Sequence, residues 1–197
     1  MKKIIAMAAL VLASVATFAQ QRQGTLSIQP KVGVSMANIA DCSYDFDARF
    51  GIVAGAEATY QVADIVGISA GALYSQQGAK TTLDKTDCTY KLDYINVPVM
   101  GHVYLVKGLA VNLGVQAGFN VADKLTLTKG KASATVNQKE YLLEAKPVVW
   151  SIPAGLSYEF CNVVVDARCN FGISKALKDI DGKTEAFYIT VGYKFEL

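Results

Sequence analysis

The feature that most limits the possible fold is an alternation of apolar residues with small or polar residues, which recurs in eight segments. In the cleanest segment, residues 109–121, every odd position from 109 to 119 is apolar, and every even position from 112 to 120 is polar or glycine. The other segments are residues 26–39, 49–61, 65–77, 92–105, 146–158, 163–174 and 187–197. A period of two residues is that of a β-strand. The sequence therefore predicts an all-β fold of eight strands.

The connections between these segments alternate in length. At most four residues join the second segment to the third, the fourth to the fifth and the sixth to the seventh. Longer polar stretches, the longest at about 123–145, make the remaining connections. An even number of strands, with short turns at one rim and long loops at the other, is typical of bacterial outer-membrane barrels. A strand of about 9–11 residues crosses a bilayer at a tilt, so we predict an eight-stranded antiparallel up-and-down transmembrane β-barrel.

The two faces of the strands differ in a way that favours a membrane. A soluble barrel has apolar residues inside and a charged exterior. Here one face is rich in glycine and serine, whereas the other has no charge between its ends. Charged residues make up 18% of the chain, against roughly 25% in soluble domains. The aromatic residues of the apolar face gather near the strand ends, as in the aromatic girdles of membrane barrels: Phe50, Tyr60, Trp150, Tyr158, Phe187, Tyr193 and Phe195. We expect this face to contact lipid; the alternative is a secreted soluble barrel.

The first nineteen residues have the pattern of a secretory signal peptide. A basic start is followed by a short apolar core, and Thr17 and Ala19 supply the small residues of a cleavage site. We therefore predict a signal peptide at 1–19 and one barrel domain at 20–197. No later run of 18 apolar residues exists, and the net charge of +2 gives no indication of a nucleic-acid partner.

The last ten residues, "YITVGYKFEL", keep the alternation to the final side chain. In hydrocarbon every backbone N–H and C=O must have a partner, so a membrane sheet has to close on itself. We therefore expect the last strand to pair with the first.

Two stretches resemble a known family. "DYINVPVMGHVYLVKGLAVNLGVQAG" (93–118) resembles the central hairpin of the PorT-type outer-membrane β-barrels, and "IQPKVGVSMANI" resembles their first strand, with Gly33 in the expected place. The resemblance implies the outer membrane of a Gram-negative cell, and PorT itself is associated with a protein-secretion system. Asn96 and His102 stand where the family commonly has Glu and Lys, so its lumen chemistry is not carried over. The chain end also resembles the signal read by the barrel assembly machinery, through Thr190, Gly192, Phe195 and Leu197.

Charged residues on the predicted lumen face form the main candidate site. An eight-stranded barrel has an interior just wide enough for side chains, and buried charges have to be paired. We predict a charge network that fills the lumen, with a gated polar conduit as the alternative. Its members are Lys31, Arg49, Glu57, Glu159, Asp166, Arg168, Lys194 and Glu196.

Other candidates lie in the loops. Cys42 and Cys88 fall in neighbouring long loops of an oxidising compartment and are a possible disulfide, while Cys169 is predicted to face lipid. The first long loop offers carboxylates for Ca²⁺, although a solvated acidic loop is the default: Asp41, Asp45 and Asp47. The loop at 123–145 has lysines that would meet anionic lipopolysaccharide: Lys124, Lys129, Lys131 and Lys139.

Two further expectations concern single residue types. His102, the only histidine, is predicted to face the lumen near a turn, with no serine placed beside it for catalysis. Prolines fall within or at the edges of the predicted strands, where a ladder hydrogen bond is lost, so we expect bulges at Pro30, Pro98 and Pro153.

Together these patterns predict a structural or interaction protein of the outer membrane that works through its extracellular loops, in an envelope or secretion assembly. Its expected partners are outer-membrane lipids and lipopolysaccharide, and the assembly machinery during biogenesis. No cofactor and no enzymatic activity are expected. The alternatives are a small passive pore or transporter for small solutes and, third, a lipid-modifying barrel enzyme.

Overall fold

The computed structural model describes residues 23–40, 47–83, 86–129, 132–137, 146–175 and 183–197. The predicted signal peptide lies outside the described residues. Within them, no helix has the length and apolar character to cross a membrane. The described chain forms ten strands: β1 Leu26–Ala40, β2 Asp47–Ala63, β3 Val66–Leu83, β4 Thr86–Val106, β5 Leu109–Lys129, β6 Ala132–Asn137, β7 Val148–Phe160, β8 Val163–Lys175, β9 Lys183–Tyr193 and β10 Phe195–Glu196.

The strands form a closed antiparallel barrel with eight strands around its circumference, here called its walls, which confirms the predicted fold class. Neighbours in the barrel are also neighbours in sequence, in the order β1, β2, β3, β4, β5, β7, β8 and β9. The barrel closes because β1 pairs with β9 over ten positions and with β10 over two. The two short strands add no wall: β10 continues β9, and β6 pairs with the outer part of β5.

Burial follows the alternation of the sequence, with its apolar residues on the outside. On β5, Leu113 is 60% exposed whereas Asn112 is 1% exposed, and on β1 Val32 is 59% exposed whereas Ser35 is fully buried. A soluble barrel would show the opposite pattern. The outer face is therefore built to contact hydrocarbon, and the polar residues fill the lumen.

Aromatic side chains mark the two borders of this outer face. On β2, Phe50 and Tyr60 are both exposed and lie ten positions apart, about 33 Å along the strand. A strand tilt of about 40° reduces this to roughly 25 Å, the height of the apolar band of outer-membrane barrels. Tyr193 and Phe195 contact each other at the border near the chain end, with ring centroids 4.8 Å apart and ring planes inclined by 56°.

The short turns lie at the same rim as both described chain ends. The turn between β7 and β8 consists of Cys161 and Asn162, whose φ angles of 49° and 67° are those of a two-residue hairpin turn. Gly108, in the turn between β4 and β5, has a φ of 79°, and a Cβ there would lie 2.3 Å from the carbonyl oxygen of Glu159. Short turns face the periplasm in such barrels, so the long connections lie at the extracellular rim.

The expected bulges at the prolines are wrong. Strand pairing stops at Pro98 on the β3 side and at Pro153 on the β5 side, and then resumes in the same register. A proline has no N–H to donate, so one side of the ladder is interrupted without any shift. Continuing the registers places glycines opposite both prolines, Gly71 opposite Pro98 and Gly114 opposite Pro153.

The extracellular ends of three strands are longer than the sequence predicts. The stretch 123–145, predicted as a loop, is partly strand, because β5 continues to Lys129 and β6 pairs with it. Leu125 and Leu127 alternate with Thr126 and Thr128 there, which is a strand pattern. Beyond the barrel, β3, β4, β5 and β6 therefore form a four-stranded sheet, here called the extracellular arm, of residues 79–83, 86–92, 123–129 and 132–137.

Candidate functional site in the barrel lumen

Four charged side chains meet in the middle of the lumen and are here called the charged cluster: Lys31, Glu57, Asp166 and Arg168. Glu57 on β2 is the shared acceptor. Lys31 Nζ donates to Glu57 Oε2 at 2.8 Å, and Arg168 Nη1 donates to Glu57 Oε1 at 2.9 Å. Arg168 Nη2 lies 3.3 Å from both Glu57 Oε2 and Asp166 Oδ2. The cluster thus joins β1, β2 and β8 across the lumen.

The charged cluster is neutral overall and almost completely buried. Two cations face two carboxylates, and all four residues are at most 6% exposed. Removing such charges from water is expensive, and only close pairing with good hydrogen bonds compensates for it. Loss of one member would leave an unpaired charge inside the barrel, so the cluster is strongly dependent on each partner.

The other charges of the predicted network form separate pairs nearer the two rims. Arg49 donates to the carbonyl oxygen of Gln77, and its Nη1 lies 3.8 Å from Asp93 Oδ1, towards the extracellular rim. Lys194 pairs with Glu159 near the periplasmic rim, where its Nζ lies 5.9 Å from the centroid of the Tyr104 ring. Alternation along a strand indicates the face of a residue but not its height in a tilted barrel.

Glu196, also assigned to the network, is exposed on β10. It lies at the periplasmic end of the barrel, opposite Ser27. Because Ser27 is buried, Glu196 lies on the lumen side of the strand but at the open rim, where it reaches solvent.

His102 is part of a hydrogen-bond chain that the sequence did not predict, and a serine lies beside it although the sequence places none there. Ser69 Oγ lies 2.7 Å from His102 Nε2, and His102 Nδ1 lies 2.7 Å from Asn112 Oδ1. Asn112 Nδ2 donates to Asp166 Oδ2 at 3.4 Å. Since that contact fixes the Asn112 oxygen towards the histidine, Nδ1 is the donor and Nε2 accepts the hydroxyl proton.

The hydrogen-bond chain Ser69–His102–Asn112 has the order of groups found in serine hydrolases, but there is no space for a substrate beside it. Ser69 and Asn112 are each 1% exposed. The cavity beside His102, lined also by Thr59, Tyr104 and Lys194, has a volume of about 20 Å³. That volume is close to one water molecule. The arrangement can therefore orient hydrogen bonds and connect six of the eight walls, but it does not admit an acyl chain.

A neutral group closes the extracellular half of the lumen and is here called the tyrosine cluster: Ser75, Gln77, Asn96 and Tyr188. Gln77 Nε2 lies 2.7 Å from the Tyr188 hydroxyl, and Asn96 Nδ2 lies 2.7 Å from Ser75 Oγ. Tyr188 is 1% exposed and also packs with the apolar core residues Ala37, Val53, Leu73 and Ala186. A second cavity of about 20 Å³ adjoins this cluster.

Several predicted residues fall where side chains lie outside the described part of the structure. This applies to the possible disulfide of Cys42 and Cys88, the acidic residues of the first long loop and the four lysines of 123–145, so these remain predictions. Among the described residues, no group of three or more His, Cys, Asp and Glu residues is arranged to hold a metal ion. Cys161 and Cys169 are both free, and Cys169 is half-buried on the outer face.

The residues of the predicted assembly signal lie along the last strand at the closing seam, on both of its faces. Thr190 is buried in the lumen, and Phe195 is exposed on the outer face. A Cβ at Gly192 would lie 2.7 Å from both Gln29 Nε2 and the Pro30 carbonyl oxygen, so glycine fits there. Leu197 donates its backbone N–H to the carbonyl oxygen of Leu26 at 2.8 Å, which ties the last residue to the first strand.

Comparisons with known proteins agree with this architecture. The fold is similar to that of Ail, the attachment invasion locus protein of Yersinia pestis, with a TM-score of 0.54 and 19% identity over 88% of this chain and 100% of that chain. It is also similar to Neisserial surface protein A, with a TM-score of 0.50 and 12% identity over 87% of this chain and 97% of that chain. No curated protein matches the sequence significantly. The family model for the outer membrane protein beta-barrel domain matches residues 18–178, and the chain therefore belongs to this family of the outer membrane.

Proposed function

We propose that this outer-membrane barrel is a structural or interaction protein whose working surface is the extracellular arm. The observation that supports the proposal is the unequal length of the strands around the barrel. The strands β4 and β5 have 21 residues each, whereas β7 and β8 have 13 each. About 9–11 residues cross a bilayer, so β4 and β5 project well beyond it on one side only.

The composition of the arm supports a partner with negative charge. Residues 79–92 and 123–137 contain six lysines and three aspartates, and Lys91 lies opposite Lys124 in the β4–β5 register. Clustered like charge attracts and steers anionic partners. We therefore propose contact with lipopolysaccharide or with an acidic envelope protein. The resemblance to the PorT-type barrels favours a secretion or envelope assembly as the setting.

The lumen argues against the alternative of an open pore. The charged cluster lies across its centre, and the hydrogen-bond chain through His102 connects it to β3, β4 and β5. The cavities beside His102 and beside the tyrosine cluster each have the volume of about one water molecule. A planar-bilayer recording should show no steady open current. A stable ohmic conductance of the unmodified protein would replace our proposal with the pore.

The burial of Ser69, which is 1% exposed, and the volume of about 20 Å³ beside its partner His102 argue against an enzyme acting there. A serine-reactive fluorophosphonate should leave the folded protein unlabelled, with Ser69→Ala as the reference. Labelling that disappears in Ser69→Ala would instead support a lipid-modifying activity at this hydrogen-bond chain.

The central test is a pull-down from native envelopes that compares the whole protein with a variant lacking the arm. Deleting residues 125–143 removes β6 and the end of β5 but leaves the barrel part of β5 intact. We expect specific partners to be lost with the deletion. A milder variant converts Lys124, Lys129, Lys131 and Lys139 to Gln, and its matched control is Lys107→Gln in a periplasmic turn. Equal capture by all four proteins would contradict a role of the arm.

A further inference from the structure

A groove of about 180 Å³ opens on the outer surface at the extracellular ends of β2, β1, β9 and β8. Seven of its ten lining residues are small or apolar: Met36, Ala37, Ala48, Cys169, Phe171, Ala186 and Phe187. The polar lining residues are Asn38, Asn170 and Glu185. Asn38 and Glu185 lie opposite each other in the β1–β9 register, one row above Met36 and Phe187. The groove is thus apolar below and polar at its extracellular edge.

The position of the groove coincides with the upper border of the lipid-facing band. Met36 pairs with Phe50, an aromatic residue of that border, and Phe171 is 51% exposed on the same face. The groove is therefore continuous with a surface that meets hydrocarbon. Apolar cavities of about 150 Å³ accommodate a benzene-sized molecule, so this concave site has room for a segment of about six carbon atoms.

The polar edge indicates which end of a lipid lies there. Glu185 is exposed beside Phe171, its opposite residue on β8, and a carboxylate accepts hydrogen bonds from N–H and O–H groups. An amphiphile with its chain in the groove would bring its headgroup to this level. A headgroup with an ammonium or hydroxyl donor matches Glu185, whereas one without such donors does not.

We propose that this groove is a lipid-binding site that holds part of one acyl chain against Cys169 and Phe171, while a donor of the same lipid's headgroup binds Glu185. The site is independent of the extracellular arm and of any partner of the arm. It differs from general solvation by lipid, since it requires a concave wall and a specific polar contact.

Native mass spectrometry of the folded barrel tests the proposal with two probes that have the same chains. Dioleoyl phosphatidylethanolamine has N–H donors, and dioleoyl phosphatidylcholine has none. We expect one ethanolamine lipid to be retained about tenfold more strongly than the choline lipid, a ratio typical of a hydrogen bond to a charged group. Glu185→Ala should abolish this preference. Equal retention of the two lipids by the unmodified protein would overturn the polar part of the site.

Filling the groove tests its apolar part. Cys169→Phe should remove the retained lipid, whereas Ala167→Phe, on the same strand and face but outside the groove, should not. Retention that survives Cys169→Phe, or that is lost equally in both variants, would contradict the assignment. Recovery of a second copy of the chain through this face, without lipid, would contradict it as well.

A second measurement needs no groove-filling substitution. With Cys42, Cys88 and Cys161 converted to Ser, the Cys169 thiol is the only target for N-ethylmaleimide. The ethanolamine lipid should slow its modification several-fold more than the choline lipid does. Identical rates with both lipids would show that nothing specific occupies the groove, and would do so whether or not the arm has a partner.

Discussion

The charged cluster and the tyrosine cluster both fill the lumen, but they do so with different physics. The charged cluster uses ion pairs centred on Glu57, so each side chain depends on a partner of opposite charge. The tyrosine cluster uses neutral groups around Tyr188, which also packs against Val53 and Leu73. A neutral group that loses one hydrogen bond retains its packing, whereas a buried charge that loses its partner retains only its desolvation penalty. Within one lumen, the charged cluster is therefore sensitive to the loss of a single side-chain contact, whereas the tyrosine cluster tolerates such a loss.

The largest effect is expected at the shared carboxylate of the charged cluster. Glu57→Gln leaves Lys31 and Arg168 with only Asp166, and we expect a loss of about 3–5 kcal/mol in the free energy of unfolding. Denaturant unfolding in lipid vesicles, followed by the fluorescence of the single Trp150, measures it. Adding Lys31→Met restores charge balance and should recover part of the loss. If Glu57→Gln alone changes stability no more than Tyr188→Phe does, the two clusters do not differ as described.

A charge on the outer side of the wall provides a scale for this loss. Leu113→Arg places a cation in the middle of the lipid-facing band and should cost about 2–4 kcal/mol. Unfolding in vesicles of the same lipid gives the value. The same substitution at Phe160, at the periplasmic border, should cost less because the charge reaches the headgroups. Equal losses at the two positions would argue against the depth assigned to Leu113.

A change of volume without a change of charge tests whether the charged cluster also depends on shape. A Cβ at Gly71 would lie 2.4 Å from the Ala56 carbonyl oxygen and 2.5 Å from Glu57 Cγ, so Gly71→Ala should displace Glu57 together with the adjacent β2 backbone and cost about 1–3 kcal/mol. Gly101→Ala is the matched control, since its nearest contact is Leu113 O at 3.7 Å. Similar unfolding curves for both variants would mean that Glu57 moves without penalty.

The smallest effect is expected in the tyrosine cluster. Tyr188→Phe removes the hydroxyl that Gln77 and Asn96 contact but keeps the ring, so we expect a loss of about 1–2 kcal/mol. The same vesicle assay measures it. A loss as large as that of Glu57→Gln would show that the neutral layer is no more tolerant than the charged one.

The fold could be predicted from the sequence because the alternation of period two is repeated in every wall. Strand number, closure of the first strand on the last and the outward apolar face all follow from it. The prolines were misjudged because their effect depends on the opposite strand. Glycine lies opposite Pro98 and Pro153, and the ladder is interrupted there without a bulge. The register that brings these glycines opposite the prolines is not visible in the sequence.

The sequence predicts which residues face the lumen, but it does not predict most of the contacts between them. The residues Glu57 and Arg168 are 111 positions apart in the chain, and no local pattern sets their heights in the barrel. His102 and Asn112 share a tight hairpin and lie directly opposite each other. This pairing requires the register shift between Tyr104 and Val106. The alternation already indicates that shift, because without it lumen-facing residues of β4 would lie opposite lipid-facing residues of β5. The contact of His102 with Ser69 joins residues 33 positions apart on β3 and β4, and there the sequence contains no comparable signal.

Pro30 has a consequence for how the cylinder is finished. It lies where the pairing of β1 with the last strand is interrupted, between the ten pairs to β9 and the two pairs to β10. The short strand Phe195–Glu196 is therefore attached to β1 separately from β9, through two residue pairs and the hydrogen bond from Leu197 N–H to the Leu26 carbonyl oxygen. An assembly factor that binds this last segment would have to release only β10 for the barrel to close. We therefore expect the last step of closure to be the local formation of these two residue pairs.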